Sequence, residues 1–271
     1  MALLAAKYGP WALVTGASSG FGAEFCSQLA DEGFNLVLVA RREGRLDELA
    51  HLLETRCSIQ TRVIPVDLST RTFLPAILRK VDDLEIGLLV NNAGFGSVRP
   101  FLESDLKREM ELLHVNCRAQ MALAHEFGLK MRERRRGGII FVSSIAGLSY
   151  SPPWSNYAAS KAYILALAES LWLELKAYHV DVEVLCPGRA DTEFVSVAEL
   201  NMARANWLAR IFLAGMLPGG VVSESLKGLG HQRVVVPGLN NKLTALGVSC
   251  LPRGLMMRLA ASAMGSVQPE G

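Results

Sequence analysis

Tyr157 and Lys161, in the run Asn156-Tyr157-Ala158-Ala159-Ser160-Lys161, are the residues of this chain best spaced to do chemistry. They stand four apart in a stretch that reads as helix, so both side chains leave one face. A phenol beside an ammonium makes an acid-base group. The fixed positive charge favours the phenolate and lowers the phenol pKa from its ordinary value of about 10. Alone, Tyr-x-x-x-Lys most often describes a solvated helix face. Here Ser143-Ser144 stands shortly before it, and a glycine-rich turn and Asn91-Asn92-Ala93-Gly94 stand further upstream. That ordered set favours a site.

The glycine turn is Thr15-Gly16-Ala17-Ser18-Ser19-Gly20-Phe21-Gly22. It follows an apolar strand-like run and opens a helix. Glycines at 16, 20 and 22 permit a tight turn and close backbone approach to a pyrophosphate, and the helix N-terminus supplies N–H donors and a positive dipole end. The spacing is Gly-x-x-x-Gly-x-Gly rather than the commoner dinucleotide fingerprint. An acid that holds the adenosine ribose is expected about twenty residues on. This chain has Val39-Ala40-Arg41-Arg42 there instead. A carboxylate would repel a 2′-phosphate, whereas a guanidinium grips one through paired hydrogen bonds. The reading is therefore NADP(H) over NAD(H), against the plainer one that Arg41 and Arg42 cap a surface loop. Asp67 either hydrogen-bonds an adenine amino group or caps the helix that follows it.

These residues need a scaffold. Apolar runs at 12–15, 35–40, 61–66, 87–91, 138–142, 181–186 and 233–236 alternate with helix-length amphipathic segments. Most are continuously apolar, as strands covered on both faces are. The repetition predicts one α/β domain built on a doubly wound parallel sheet of about seven strands. The basic run 132–136 reads as the end of a long helix, where cations suit the dipole. Residues 192–218, with Phe194, Trp207, Leu208, Ile211 and Phe212, are too apolar for a plain connection. They are expected to form a lid over a substrate. Residues 240–264 form an apolar, partly basic tail that Pro252 should divide into two short helices.

Composition sets the outer bounds. The chain has 271 residues, half of them hydrophobic, with a formal net charge of +2. That charge gives no case for nucleic acid. Five scattered cysteines without Cys-x-x-Cys spacing suit a reduced, cytoplasmic protein, and neither they nor the histidines have metal-site spacing. No run reaches membrane-spanning length.

Together these motifs resemble the single-domain short-chain dehydrogenase/reductase family over about residues 10 to 192, in the family's order. The opening Lys7-Tyr8-Gly9-Pro10-Trp11-Ala12 is similar to oxoacyl- and hydroxysteroid-type members. The resemblance implies a Rossmann-like three-layer fold. It makes Asn116, Ser144, Tyr157 and Lys161 the catalytic tetrad, Ser144 being chosen over Ser143 by its thirteen-residue offset from Tyr157. It assigns cofactor contacts to Gly16, Ser18, Ser19, Gly20, Phe21, Gly22, Arg41, Arg42, Asp67, Asn92, Ala93 and Gly94, with Tyr157 and Lys161. Pro187, Gly188 and Thr192 look like the nicotinamide-side loop. Two positions depart from the family pattern. Arg189-Ala190 replace apolar residues, and Ser19 stands where many NADP-using members carry Arg or Lys, so the phosphate preference rests mainly on Arg41.

The activity so implied is reversible hydride transfer between a nicotinamide and a carbonyl or alcohol carbon. Tyr157 is the proton donor or base, Ser144 polarises the oxygen, Lys161 lowers the Tyr157 pKa, and Asn116 holds a relay water. Phe95, Ile145, Leu148, Tyr150, Trp154, Phe194 and Trp207 suggest an apolar ketone, oxoacyl or sterol-like substrate. Helices near 105–132 and 157–178 would pair across a two-fold axis, giving a homodimer or homotetramer. The competing class is an NADP-binding regulatory or scaffold protein with little turnover, which the intact tetrad opposes. For the tail, packing on a neighbouring subunit is preferred to an interfacial helix on a membrane.

Overall fold

The computed structural model describes residues 4–97, 99–148, 152–189 and 215–265. Seven strands form one parallel sheet: β1 (Trp11–Thr15), β2 (Asn35–Ala40), β3 (Thr61–Pro65), β4 (Ile86–Asn91), β5 (Gly137–Val142), β6 (Val180–Leu185) and β7 (Val234–Val235). Their order is β3-β2-β1-β4-β5-β6-β7, and every pairing is parallel. β1, β4 and β5 are buried along their whole length, which is why those runs carry no polar alternation.

Helices cover both faces. One face packs α2 (Gly20–Asp31), α3 (Glu43–Cys57) and α8 (Pro218–Gly228) over a core that includes Val14, Phe25, Leu29, Leu38, Leu53 and Val221. The other packs α4 (Phe73–Lys80), α6 (Gln120–Arg134) and α7 (Ser155–Lys176) over Leu13, Val39, Ile77, Phe127, Phe141 and Ile164. A short α1 (Leu4–Tyr8) precedes β1. α5 (Leu106–Leu113) runs through a π-helical turn (His114–Ala119) into α6.

The expected strands are all present, with ends displaced by one or two residues. The basic run closes α6 as expected. Arg135 adopts a left-handed cap with φ 54°, its guanidinium donates to Ala177 O at 3.0 Å, and Arg136 pairs with Glu85. Pro252 does divide the tail, into α9 (Leu239–Cys250) and α10 (Arg253–Gly265). Residues 190–214 lie outside the described set, so most of the expected lid, including Thr192, Phe194 and Trp207, falls there; Tyr150 also lies outside it, in residues 149–151. Among the described residues no helix is long and apolar enough to cross a membrane.

Strand order reverses between β1 and β4, so the crevice at their carboxyl ends is the place where an open α/β sheet binds ligands. The glycine turn, Asn91–Gly94, Ser143-Ser144 and Cys186–Gly188 follow β1, β4, β5 and β6 in turn. The topology therefore brings four separate sequence motifs to one edge.

Candidate active site

The glycine turn is held against the end of β4 by polar contacts. Thr15 Oγ1 accepts hydrogen bonds from the Asn92 and Ala93 N–H groups, both at 3.0 Å. Asn92 Nδ2 donates to Thr15 O at 2.8 Å. Gly16 has φ +69°, and a Cβ on Gly22 would stand 2.1 Å from Gly16 O. Only glycine fits at 22, and the close approach leaves the α2 N-terminus open toward the crevice.

The guanidinium of Arg42 crosses the turn. Its Nη2 donates to Ser19 Oγ at 2.9 Å and to Ser18 Oγ at 3.1 Å. Sequence spacing pointed mainly to Arg41 as the phosphate ligand, but it is Arg42 that meets the two serines. Asp67 Oδ1 accepts from Ser69 N at 2.8 Å. That contact shapes the turn ahead of α4 but does not cap the helix, whose N-cap is Thr72 without a side-chain cap hydrogen bond.

The four expected catalytic side chains form one cluster. Tyr157 is 5 % exposed, Lys161 4 % and Asn116 fully buried. A side-chain hydrogen bond joins Tyr157 and Ser144. Lys161 Nζ lies 5.8 Å from the centre of the Tyr157 ring and donates to Val142 O at 2.9 Å. Asn116 stands in the π-helical turn, an irregularity common at functional sites. Its amide donates to Phe95 O at 3.0 Å and accepts from Phe95 N at 3.1 Å. A third bond runs from Asn116 Nδ2 to Ser160 Oγ at 3.1 Å. A Cβ on Gly94 would stand 3.0 Å from Asn116 Oδ1 and 3.1 Å from Lys161 Nζ. Asn116 and Lys161 therefore flank the loop that leaves β4.

The family model of short chain dehydrogenases matches residues 10–203. This chain is a member of the short-chain dehydrogenase family. Over 236 residues it is 30 % identical to the 7β-hydroxysteroid dehydrogenase of Mediterraneibacter gnavus, covering 87 % of this chain and 89 % of that one. It is 36 % identical over 195 residues to a very-long-chain 3-oxoacyl-CoA reductase-like protein of Arabidopsis thaliana, 70 % of this chain and 62 % of the relative. The solved short-chain dehydrogenase from Sphingobium yanoikuyae in complex with NADPH superposes with a TM-score of 0.78. It has 30 % identity and covers 91 % of this chain and 95 % of that one. This protein is thus an oxidoreductase of the CH–OH/C=O type that works with a nicotinamide cofactor.

Burial governs the electrostatics of the dehydrogenase site. It pushes Tyr157 up to about 12, opposed only by the hydrogen bond from Ser144. It pushes Lys161 down to about 8. The expected lowering of the phenol by Lys161 is therefore reversed in the protein alone. In a low-dielectric pocket desolvation disfavours both charged forms, and it is the largest cause of each shift.

Several residues that the sequence did not single out position this cluster. Glu109 of α5, 5 % exposed, accepts from Asn156 Nδ2 at 2.7 Å, and its backbone carbonyl accepts from the same nitrogen at 3.1 Å. This ties α5 to the residue before Tyr157. Asn241 of α9 packs on Gly188, where a Cβ would stand 2.6 Å from its amide. Trp154, which the sequence placed in the apolar lining, meets the Tyr157 ring edge-on, with centroids 5.5 Å apart and an interplanar angle of 68°. Glu109 and Asn241 carry no local motif, and only the packing of distant elements reveals them.

Proposed function

We propose that the chain is an NADP(H)-dependent reductase/dehydrogenase of apolar carbonyl and alcohol compounds, with Asn116, Ser144, Tyr157 and Lys161 as its catalytic residues. The observation that carries this reading is the buried cluster in which Tyr157 hydrogen-bonds Ser144 within reach of the Lys161 ammonium. The glycine turn fits a dinucleotide, since the missing Cβ at Gly22 lets the start of α2 pack directly on the Gly16 backbone. Gly16, Ser18, Ser19, Gly20, Phe21 and Gly22 would hold the pyrophosphate side, with Asn92, Ala93, Gly94, Pro187 and Gly188 along the nicotinamide half. Arg42 with Ser18 and Ser19, helped by Arg41, would take the 2′-phosphate, because a guanidinium beside two hydroxyls offers donors to three acceptor oxygens. When bound, the cofactor supplies or accepts the hydride.

The protein handles the proton and the oxygen. Tyr157 donates its proton to the developing alkoxide during reduction and removes it during oxidation. Ser144 donates a hydrogen bond to the same oxygen. Such general acid-base help is worth about 10²–10⁴ in rate, and one oxyanion donor about 10²–10³. Lys161 holds positive charge beside the phenol, and Asn116 fixes the Phe95 segment that borders the site. Phe95, Ile145, Leu148 and Trp154 border the cluster and suit an apolar substrate, the class suggested by hydroxysteroid and oxoacyl relatives.

We also propose a homo-oligomer built on α5–α6 and α7. Met110, Met121, Tyr163 and Leu173 are 42–66 % exposed there. A cavity of about 400 Å³ opens between the helices, lined by Leu113, Cys117, Met121, Ala159 and Tyr163 among others. The test of the activity is NADPH oxidation across a panel of steroid ketones, 3-oxoacyl thioesters and aromatic ketones, with Tyr157→Phe as control. Tight NADPH binding without turnover on any of them would favour the regulatory reading instead.

A further inference from the structure

Helix α9 carries its polarity the wrong way round for a helix that finishes a domain. The side facing the protein is fixed by an amide. Asn241 is 6 % exposed and donates to Pro237 O at 2.8 Å and to Met216 Sδ at 3.0 Å. The side facing solvent is a leucine stripe. Leu239, Leu243 and Leu246 are 71, 58 and 60 % exposed, and Cys250 continues them. These positions recur at i, i+4, i+7 and i+11, which is one helical face. Leu251 and Leu255 extend the exposed apolar surface across Pro252 into α10. From Ser225 to Gly265 the sequence holds no Asp or Glu, but it holds Lys227, Arg233, Lys242, Arg253 and Arg258. The cations are about as dense here as elsewhere, but without acids the segment carries +5 in a chain of net charge +2.

We propose that α9 with the start of α10 docks this protein on an anionic phospholipid surface. The leucines would enter the acyl boundary and the cations would meet lipid phosphates. Charge decides between this occupant and a second copy of the chain. Lys242 reaches Glu224 of α8 at 3.6 Å, but a two-fold contact through this face would still gather Arg258 and the other cations of both tails together, and neither α9 nor α10 has an acid of its own to answer them. An anionic bilayer supplies the missing charge. The opposite side of α9 packs on Gly188 and on the Ile145–Gly147 turn, next to Ser144. On the function proposed above, docking therefore sets the site beside the phase in which apolar substrates dissolve.

The test is flotation of the full chain with vesicles of phosphatidylcholine, with and without phosphatidylglycerol, at low and high salt. It reads binding alone and stays interpretable whatever the enzyme reduces. Wild-type protein should float with the anionic vesicles, less so in high salt. The Leu243→Gln/Leu246→Gln variant, altered only at exposed positions and checked for an unchanged Tm, should lose ~10-fold or more of that binding. Absence of flotation, or equal flotation of the variant, overturns the proposal. Dissociation of a wild-type oligomer by the same variant, seen by sedimentation, would assign the face to a second copy.

Discussion

Glu109 Oε2 accepts a hydrogen bond from Asn156 Nδ2 at 2.7 Å, so a buried carboxylate of α5 holds the residue before Tyr157. Removing it leaves the Asn156 amide short of an acceptor, at a cost of about 1–3 kcal/mol, and frees the start of α7. Glu109→Ala should lower kcat by roughly tenfold to a hundredfold, with NADPH affinity unchanged. Titration calorimetry and steady-state kinetics measure the two together. A lower Tm with normal kcat would reduce the contact to a helix clamp.

Tyr157→Phe keeps the ring packed on Trp154 and removes only the hydroxyl. Turnover should drop by about 10²–10⁴ or more, while NADPH binds as before. Near-normal turnover in this variant would sink the acid-base assignment.

Arg42 and Arg41 can be separated. Arg42→Ala should weaken NADPH binding by about 10- to 100-fold, the worth of charge-assisted hydrogen bonds, and leave NADH binding nearly unaltered. Arg41→Ala should do less. Equal losses for both cofactors would mean that Arg42 shapes the turn without reading the phosphate.

Glu183 predicts the pH dependence of stability. It is fully buried in β6, one carboxyl oxygen has no partner, and burial pushes it up to about 8 from an ordinary 4.5. The folded protein therefore keeps a proton that the unfolded chain releases above its ordinary pKa. Stability from this group is complete below about pH 4.5 and is lost as pH rises toward about 8. Glu183→Gln should raise Tm at pH 9 and flatten the loss between pH 5 and 8. A mutant curve parallel to wild type in thermal melts would refute this.

The assembly prediction needs only sedimentation at micromolar concentration. Dimers or tetramers are expected, and Tyr163→Glu on the exposed face of α7 should shift them toward monomer. A wild-type monomer would contradict the proposed pairing.

The sequence by itself determined the sheet and the residue types of the site. Continuous apolar runs bury on both faces wherever they pair, and Tyr157 and Lys161 share a face on any helix, so both followed from local periodicity. Glycine at 16 and 22 was legible for the same reason, as a backbone demand written in one residue type. Which arginine meets Ser18 and Ser19 was decided only in three dimensions. Arg41 and Arg42 are adjacent, and the direction in which the chain leaves β2 selects between them. Tertiary structure likewise set the pKa order at Tyr157. Spacing shows the attraction to Lys161, but desolvation depends on everything packed around the ring. Glu109 and Asn241 became visible only when elements distant in sequence met, because a hydrogen bond between them leaves no periodic trace in the chain.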